Sequence, residues 1–254
     1  MNLKTFCITK NICYEEICVE DPVFHKFYEI GNLQKEQIIG IPDGCIDLQC
    51  VWKNGVPMLN VCGSFQVGAT TITGTFEKCI GIKLNPGIVL ECFQDAVSEI
   101  VNRRLDYENF SDRAGELLRI MTLPVELKEK VPLIREIFGR ENETRQHDLV
   151  LYLIEEMQKT DGKEEICNLV DTLGYSQRYV EKVFKEAVGF TIKKYAGIMR
   201  IQKALELLTY ENKTDCEIYD SLGYYDQAHY IHEFKRFTSL TPNAYRKNKE
   251  LVIV

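Results

Sequence analysis

The sequence is poor in histidine. It has four in 254 residues, and His25 stands alone in the first 146. A multi-histidine metal centre or a Cys/His catalytic pair in that stretch is nearly excluded, because both chemistries need imidazole. Long apolar runs are missing too. None approaches the roughly 18–20 residues that cross a bilayer, and Met1 to Lys10 holds no apolar stretch of secretory-signal length. No membrane association is therefore expected, and the expected location is the cytoplasm. An excess of basic residues is also lacking. The formal net charge is -7, which argues against unspecific coating of polyanions but leaves room for a local basic surface.

Cysteine is plentiful. Eight of the ten fall before residue 100: Cys7, Cys13, Cys18, Cys45, Cys50, Cys62, Cys79 and Cys92. None forms a C-x-x-C pair or has a histidine at zinc-ligand spacing. Without a secretion signal disulfides are not expected. The leading reading is small buried apolar residues, with a thiol sensor or a metal site as alternatives.

The first ~95 residues read as short strands separated by turn residues: Gly31-Asn32, Pro42-Asp43-Gly44, Asn54-Gly55, Gly63-Ser64 and Asn85-Pro86-Gly87. Alternation is visible in Cys45-Ile46-Asp47-Leu48-Gln49, and Asn54-Gly55 between two apolar runs is a hairpin signal. From Ile88 the spacing becomes helical. A helix is expected over Ser111 to Met121, then a break at Pro124 and Pro132, and a short helix from Leu133 to Phe138 stopped by Gly139. The polar segment Arg140 to Thr144 reads as a linker. From Gln146 onward the pattern is helical throughout, starting with Leu149, Leu153 and Met157 at four-residue spacing. The expected fold is α+β. Residues 1–140 would form a β-sandwich or cupin-like barrel with a helical tail, and residues 146–250 an all-α tandem helix-turn-helix domain.

The C-terminal part repeats. Leu173-Gly174-Tyr175 recurs as Leu222-Gly223-Tyr224, Phe184-Lys185 as Phe234-Lys235, Thr191 as Thr241 and Tyr195 as Tyr245, with one extra residue between glycine and phenylalanine in the second copy. Each copy reads as a short helix, a glycine at the turn, and a second helix capped by Ser176 or Asp226. Basic residues gather on the second helix: Arg178, Lys182 and Lys185, then Lys235 and Arg236.

Here the sequence resembles the AraC/XylS family of bacterial transcriptional regulators, over roughly residues 146–248. The first half carries Gly174-Tyr175-Ser176, Val180-x-Lys182-x-Phe184-Lys185, Gly189-Phe190-Thr191, Tyr195 and Arg200. The second carries Gly223-Tyr224-Tyr225-Asp226-Gln227, Tyr230-x-His232-x-Phe234-Lys235, Thr241-Pro242 and Tyr245-Arg246. The resemblance implies a long helix from Ile192 to about Leu208 joining the units, with both recognition helices in successive major-groove segments of duplex DNA. On that geometry Arg178, Tyr179, Glu181 and Lys182 face base edges in the first unit. Ala228, His229, Ile231 and His232, with Gln227 beside them, do so in the second. Ser176, Lys185, Lys235 and Arg236 bind phosphates. Val170 and Tyr219 stand where the family usually has Ala, His232 where it has Arg, and Ser239 where it has Gly. The first unit is therefore expected to be the stronger reader of DNA. His229-x-x-His232 has metal-ligand spacing, but the sequence offers no third ligand.

Ile41 to Leu48 and Gly81 to Gly87 also resemble the β-rich domain that precedes this region in part of the family. That resemblance implies an apolar pocket for an unidentified small-molecule effector. Asp43, Asp47, Trp52 and Lys83 are the candidate lining, although Asp43 also suits a turn and Trp52 a core position. The function expected is a transcriptional regulator and not an enzyme, with no cofactor. Duplex DNA and the effector would be its partners, with RNA polymerase and a second copy of the chain as further ones. A catalytic β-domain and a protein-binding domain that has lost DNA are the competing classes.

Overall fold

The computed structural model describes residues 7–8, 13–31, 37–73, 76–139, 144–145, 147–171 and 173–247. The N-terminal strands are β1 (Cys7–Ile8), β2 (Cys13–Cys18), β3 (Phe24–Gly31), β4 (Gln37–Gly40), β5 (Asp47–Lys53), β6 (Val56–Cys62), β7 (Ala69–Thr73), β8 (Lys78–Leu84) and β9 (Val89–Leu90). A 3-10 turn over Glu91–Ala96, α1 (Val97–Ile100), β10 (Arg104–Asp106), α2 (Ala114–Met121), α3 (Leu127–Gly139) and β11 (Thr144–Arg145) follow. The rest is helical: α4 (Asp148–Lys159), α5 (Ile166–Asp171), α6 (Gln177–Val188), α7 (Ile192–Tyr210), α8 (Asp215–Ser221), α9 (Gln227–Thr238) and α10 (Pro242–Lys247).

The expectation of mixed α+β structure holds. A six-stranded antiparallel sheet runs in the order β10-β6-β5-β8-β3-β2, and a separate three-stranded sheet in the order β1-β4-β7. The Asn54-Gly55 hairpin joins β5 to β6, with both residues at positive φ (53° and 74°), as a two-residue turn requires. Period-two alternation gives the large sheet two faces. Phe27, Leu48, Cys50, Val61, Ile80 and Ile82 pack with α1, α2 and α3 into one core. The other face carries a cross-strand row in which Arg104 pairs with Cys62, Cys62 with Asp47, Asp47 with Lys83, and Lys83 with Lys26.

Two local expectations are corrected. Pro132 does not break the chain; it lies inside α3, which starts at Leu127. An interior proline costs about 3 kcal/mol. Leu127, Val131, Ile134, Ile137 and Phe138 of the same helix are all buried, and each contributes about 1.5–3 kcal/mol, so burial wins. The expected linker falls mostly outside the described residues, but its end, Thr144, pairs with Leu90 as Arg145 pairs with Val89. The cysteines divide. Cys45, Cys50, Cys62 and Cys79 are buried as expected, whereas Cys13, Cys18, Cys92, Cys167 and Cys216 are exposed.

A second core is built by α4 to α10 and takes in Ile41 from the N-terminal half. Further contacts join the halves. Gln202 of α7 donates to the Pro42 carbonyl at 2.7 Å. Gly44 lies against the Tyr195 ring, where a Cβ would collide with it. Gly68 N–H donates to the Arg236 carbonyl at 3.2 Å, and Gln66 is hydrogen-bonded to Lys194. Gly189 sits against Val97 and Val101.

Candidate nucleic-acid interface

Both repeated units fold as a short helix, a glycine turn and an exposed second helix. In the first, α5 leads through Gly174 (φ 67°) to α6. The Ser176 hydroxyl accepts the Tyr179 N–H at 3.3 Å and caps α6, as its residue type predicts. Val180, Phe184 and Val188 recur every four residues and are buried. Gly189 ends the helix in the left-handed region (φ 88°). In the second, α8 begins with a capping box between Thr214 and Glu217 and leads through Gly223 (φ 69°) to α9. The Asp226 carboxylate accepts the His229 N–H at 2.7 Å. Tyr230, Phe234 and Phe237 are buried. Between the units, α7 runs 19 residues, capped by Thr191, with Tyr195, Ile198, Ile201 and Leu205 among its buried residues.

This packing leaves one face of each second helix in water. Ser176, Arg178, Tyr179, Glu181, Lys182 and Lys185 are all exposed on α6 and its cap. Gln227, His229, His232, Lys235 and Arg236 are exposed on α9, and Ile231 is half-buried. The two faces differ in how their side chains are held. On α6, Gln177 donates to Glu181 at 2.8 Å, and Lys182 lies 3.8 Å from Glu186. On α9, Glu233 turns inward to Arg200 at 3.5 Å, which takes the acid of that helix away from its outer face. The His229 Nδ1 accepts the Tyr225 N–H at 3.4 Å, and its ring meets Tyr224 edge-on at 5.4 Å. His229 is therefore tied back to the turn, a role that its helical spacing does not reveal. The bulky Tyr219 is half-buried at the edge of the core, with its hydroxyl 3.5 Å from Cys216; Ile218 is the fully buried residue beside it.

The family model for a helix-turn-helix domain matches residues 169–248. The C-terminal region is an AraC-type helix-turn-helix domain. The chain is similar to the F1 operon positive regulatory protein of Yersinia pestis, 38% identical over 73 residues, which are 29% of this chain and 24% of that protein. It is similar to the transcriptional regulatory protein HptR of Staphylococcus aureus, 30% identical over 90 residues, 35% of either protein. Among solved structures it is similar to the C-terminal domain of the two-component response regulator yesN from Fusobacterium nucleatum, 30% identical, with a TM-score of 0.35, over 39% of this chain and 95% of that one. The chain spans about a third of the length of the curated relatives it matches.

Two clefts run between the AraC-type domain and the N-terminal half, and their walls include side chains of the candidate interface. One, of about 730 Å³, brings Asp95, Ser98 and His147 to Lys182 and Lys185 of α6. The other, of about 430 Å³, brings Gln66 to Lys185, Lys193, Lys194 and Arg236. Burial and the neighbouring Arg236 charge both push the Lys194 ammonium down from its ordinary range.

Of the candidate effector residues the structure gathers three. Lys83 is buried and ion-paired with Asp43 and, at 3.2 Å, with Asp47. Burial alone would raise the Asp43 carboxyl, but Lys83 and the Cys45 N–H hold it below the usual range. Burial, reinforced by the Asp43 charge, pushes Asp47 up despite Lys83. Burial opposes the Lys83 charge, and the two carboxylates more than offset it, so this ammonium is held well above its ordinary value. Asp43 also makes the expected turn, since its carboxylate accepts the Cys45 N–H at 3.0 Å. Trp52 is not among them. It lies five residues along β5 from Asp47, hence on the other face, packed against the helix-covered core with Lys78 5.7 Å from its ring. Sequence reasoning missed Gln49, Tyr28, Cys62 and Arg104. Gln49 donates to the Tyr28 hydroxyl at 2.7 Å, and Arg104 donates to both Gln49 (3.0 Å) and Cys62 (3.2 Å). The alternation of β3, β5 and β6 was the signal that puts them on the Lys83 side.

Proposed function

We propose that this protein is a sequence-specific DNA-binding transcriptional regulator that does no catalysis of its own. Its two AraC-type units read neighbouring major-groove segments. One observation carries the reading: two capped, exposed helices, each with its basic residues outward, are joined by the single helix α7. Arg178 and Lys182 suit guanine, Gln227 adenine and Glu181 cytosine, with Tyr179, His229 and His232 on the same faces. Ser176, Lys185, Lys235 and Arg236 suit phosphates.

The N-terminal half, of cupin-like kind, is the sensing domain in this reading, with the buried Asp43–Asp47–Lys83 cluster as the candidate point at which an unidentified small-molecule effector acts. Lys182, Lys185 and Arg236 line the clefts against that domain, so its docking and the grip on DNA share side chains. Selection of bound sites from random duplex DNA, with and without cell extract as effector source, tests the whole. The expected outcome is an enriched site whose binding weakens steeply with salt and falls on Arg178→Ala and Lys182→Ala. Binding that enriches nothing, or is indifferent to salt, overturns it.

A further inference from the structure

The two units differ by one residue at the turn: Gly174-Tyr175-Ser176 against Gly223-Tyr224-Tyr225-Asp226. The extra residue does not shift the pattern outward. Tyr224 goes into the core, with its ring 5.3 Å from Tyr230 and 5.5 Å from the Arg200 guanidinium. A tyrosine is thereby kept directly before the capping residue of both recognition helices: Tyr175 before Ser176 and Tyr225 before Asp226.

A large side chain at this position commonly folds back over the apolar residue five positions on, stapling the helix start. Those residues, Val180 and Tyr230, are fully buried here. Yet Tyr175 remains 55% and Tyr225 92% exposed. Tyr175 instead pairs with the exposed Tyr179, ring centroids 5.2 Å apart. Around Tyr225 the backbone is pinned twice, by its own N–H on the His229 ring and by the Asp226 carboxylate on the His229 N–H. The turn is fixed while the ring projects outward.

We propose that Tyr175 and Tyr225 are matched anchors for the sugar–phosphate backbone of duplex DNA, one at the entry of each recognition helix. This rests on the DNA-binding reading above. The ring of each packs on deoxyribose and the hydroxyl donates to a phosphate oxygen; at α6, whose cap Ser176 is neutral, the helix N-terminus adds to the attraction, whereas at α9 the Asp226 carboxylate already occupies it, leaving the contact to Tyr225. A neutral donor releases no counterion, so these contacts add affinity without adding salt dependence. They set the register of each unit and carry no base preference.

The test uses the full chain, a duplex enriched from a random pool, and an unrelated duplex, with affinity measured across a salt series. Tyr175→Phe and Tyr225→Phe are expected to weaken binding about threefold each, and the alanine variants about tenfold. Both duplexes lose equally, and the slope of log affinity against log salt is unchanged. Tyr210→Ala, at a tyrosine of 56% exposure at the end of α7, leaves affinity as it was. Wild-type affinity in both alanine variants overturns the anchors, and so does a loss confined to the enriched duplex, which would make the tyrosines base readers. In either case a loss of enrichment by Arg178→Ala keeps the DNA-binding reading standing. A wild-type chain that enriches no site and binds neither duplex overturns both.

Discussion

The two helix-turn-helix units share a frame and differ in what they show to solvent. The outer face of α6 offers Arg178, Lys182 and Lys185, but Glu181 and Glu186 stand among them. The outer face of α9 has its one carboxylate, Glu233, drawn inward by Arg200. In exchange it has fewer groups able to read a base: His229 is tied to the turn, and Ala228 and Ile231 bring no donor. The same fold signature thus supports a unit rich in directional contacts and a unit that is cleaner in charge but poorer in chemistry. The helix ends differ as well. Gly189 and Ser239 both take the left-handed conformation (φ 88° and 61°), and only the first has the residue type that adopts it without strain.

The largest expected effects come from removing base-reading side chains from one unit and then from the other. Arg178→Ala and Lys182→Ala are each expected to remove about 1–3 kcal/mol of discrimination between an enriched and an unrelated duplex. Gln227→Ala and His232→Ala should each remove less than about 1 kcal/mol, as competition binding would report. A larger loss in the second pair inverts the assignment. Next in size are the helix ends. Gly189→Ala, with a Cβ thrust into Val101, should lower stability by about 2 kcal/mol, and Ser239→Gly should raise it by about 1 kcal/mol; denaturant unfolding reads both. The caps should behave alike, with Ser176→Ala and Asp226→Ala each costing about 1 kcal/mol of stability. The smallest effect concerns charge. Lys235→Ala and Arg236→Ala should each reduce the salt slope of binding by about one while weakening all duplexes evenly.

Most of the C-terminal architecture could be read from the sequence because its signals are local. A capping residue, a buried side chain every four positions and a glycine at positive φ lie within one helix of each other. Ser176, Phe184 and Gly189 mark α6 to within a residue. The N-terminal half was legible only as strands and turns. The Asn54-Gly55 hairpin was plain, but which strands neighbour β5 depends on pairings dozens of residues away, such as Asp47 with Lys83. That long-range register decided that Asp43, Asp47 and Lys83 meet and Trp52 does not. Pro132 misled for a related reason: its local penalty is visible in the sequence, whereas the burial that offsets it is tertiary. The contacts between halves left no local trace. Gly68 against Arg236 and Gly44 against Tyr195 read as ordinary loop glycines.

The short turn Pro42-Asp43-Gly44 touches two very different things. Its carboxylate holds Lys83 in the sheet, while its carbonyl and its glycine rest on Gln202 and Tyr195 of α7. Helix α7 is about 28 Å long, at about 1.5 Å per residue, and this turn bears on it at Tyr195 and Gln202, flanking Gly197 and Arg200, where α9 packs. A tilt of about 5° about its middle moves each end by about 1 Å in opposite senses, given that length. Hydrogen bonds to base edges tolerate only a few tenths of an ångström. Through that one turn, a buried ammonium group in the sheet and the helix shared by both units are held within three consecutive residues of each other.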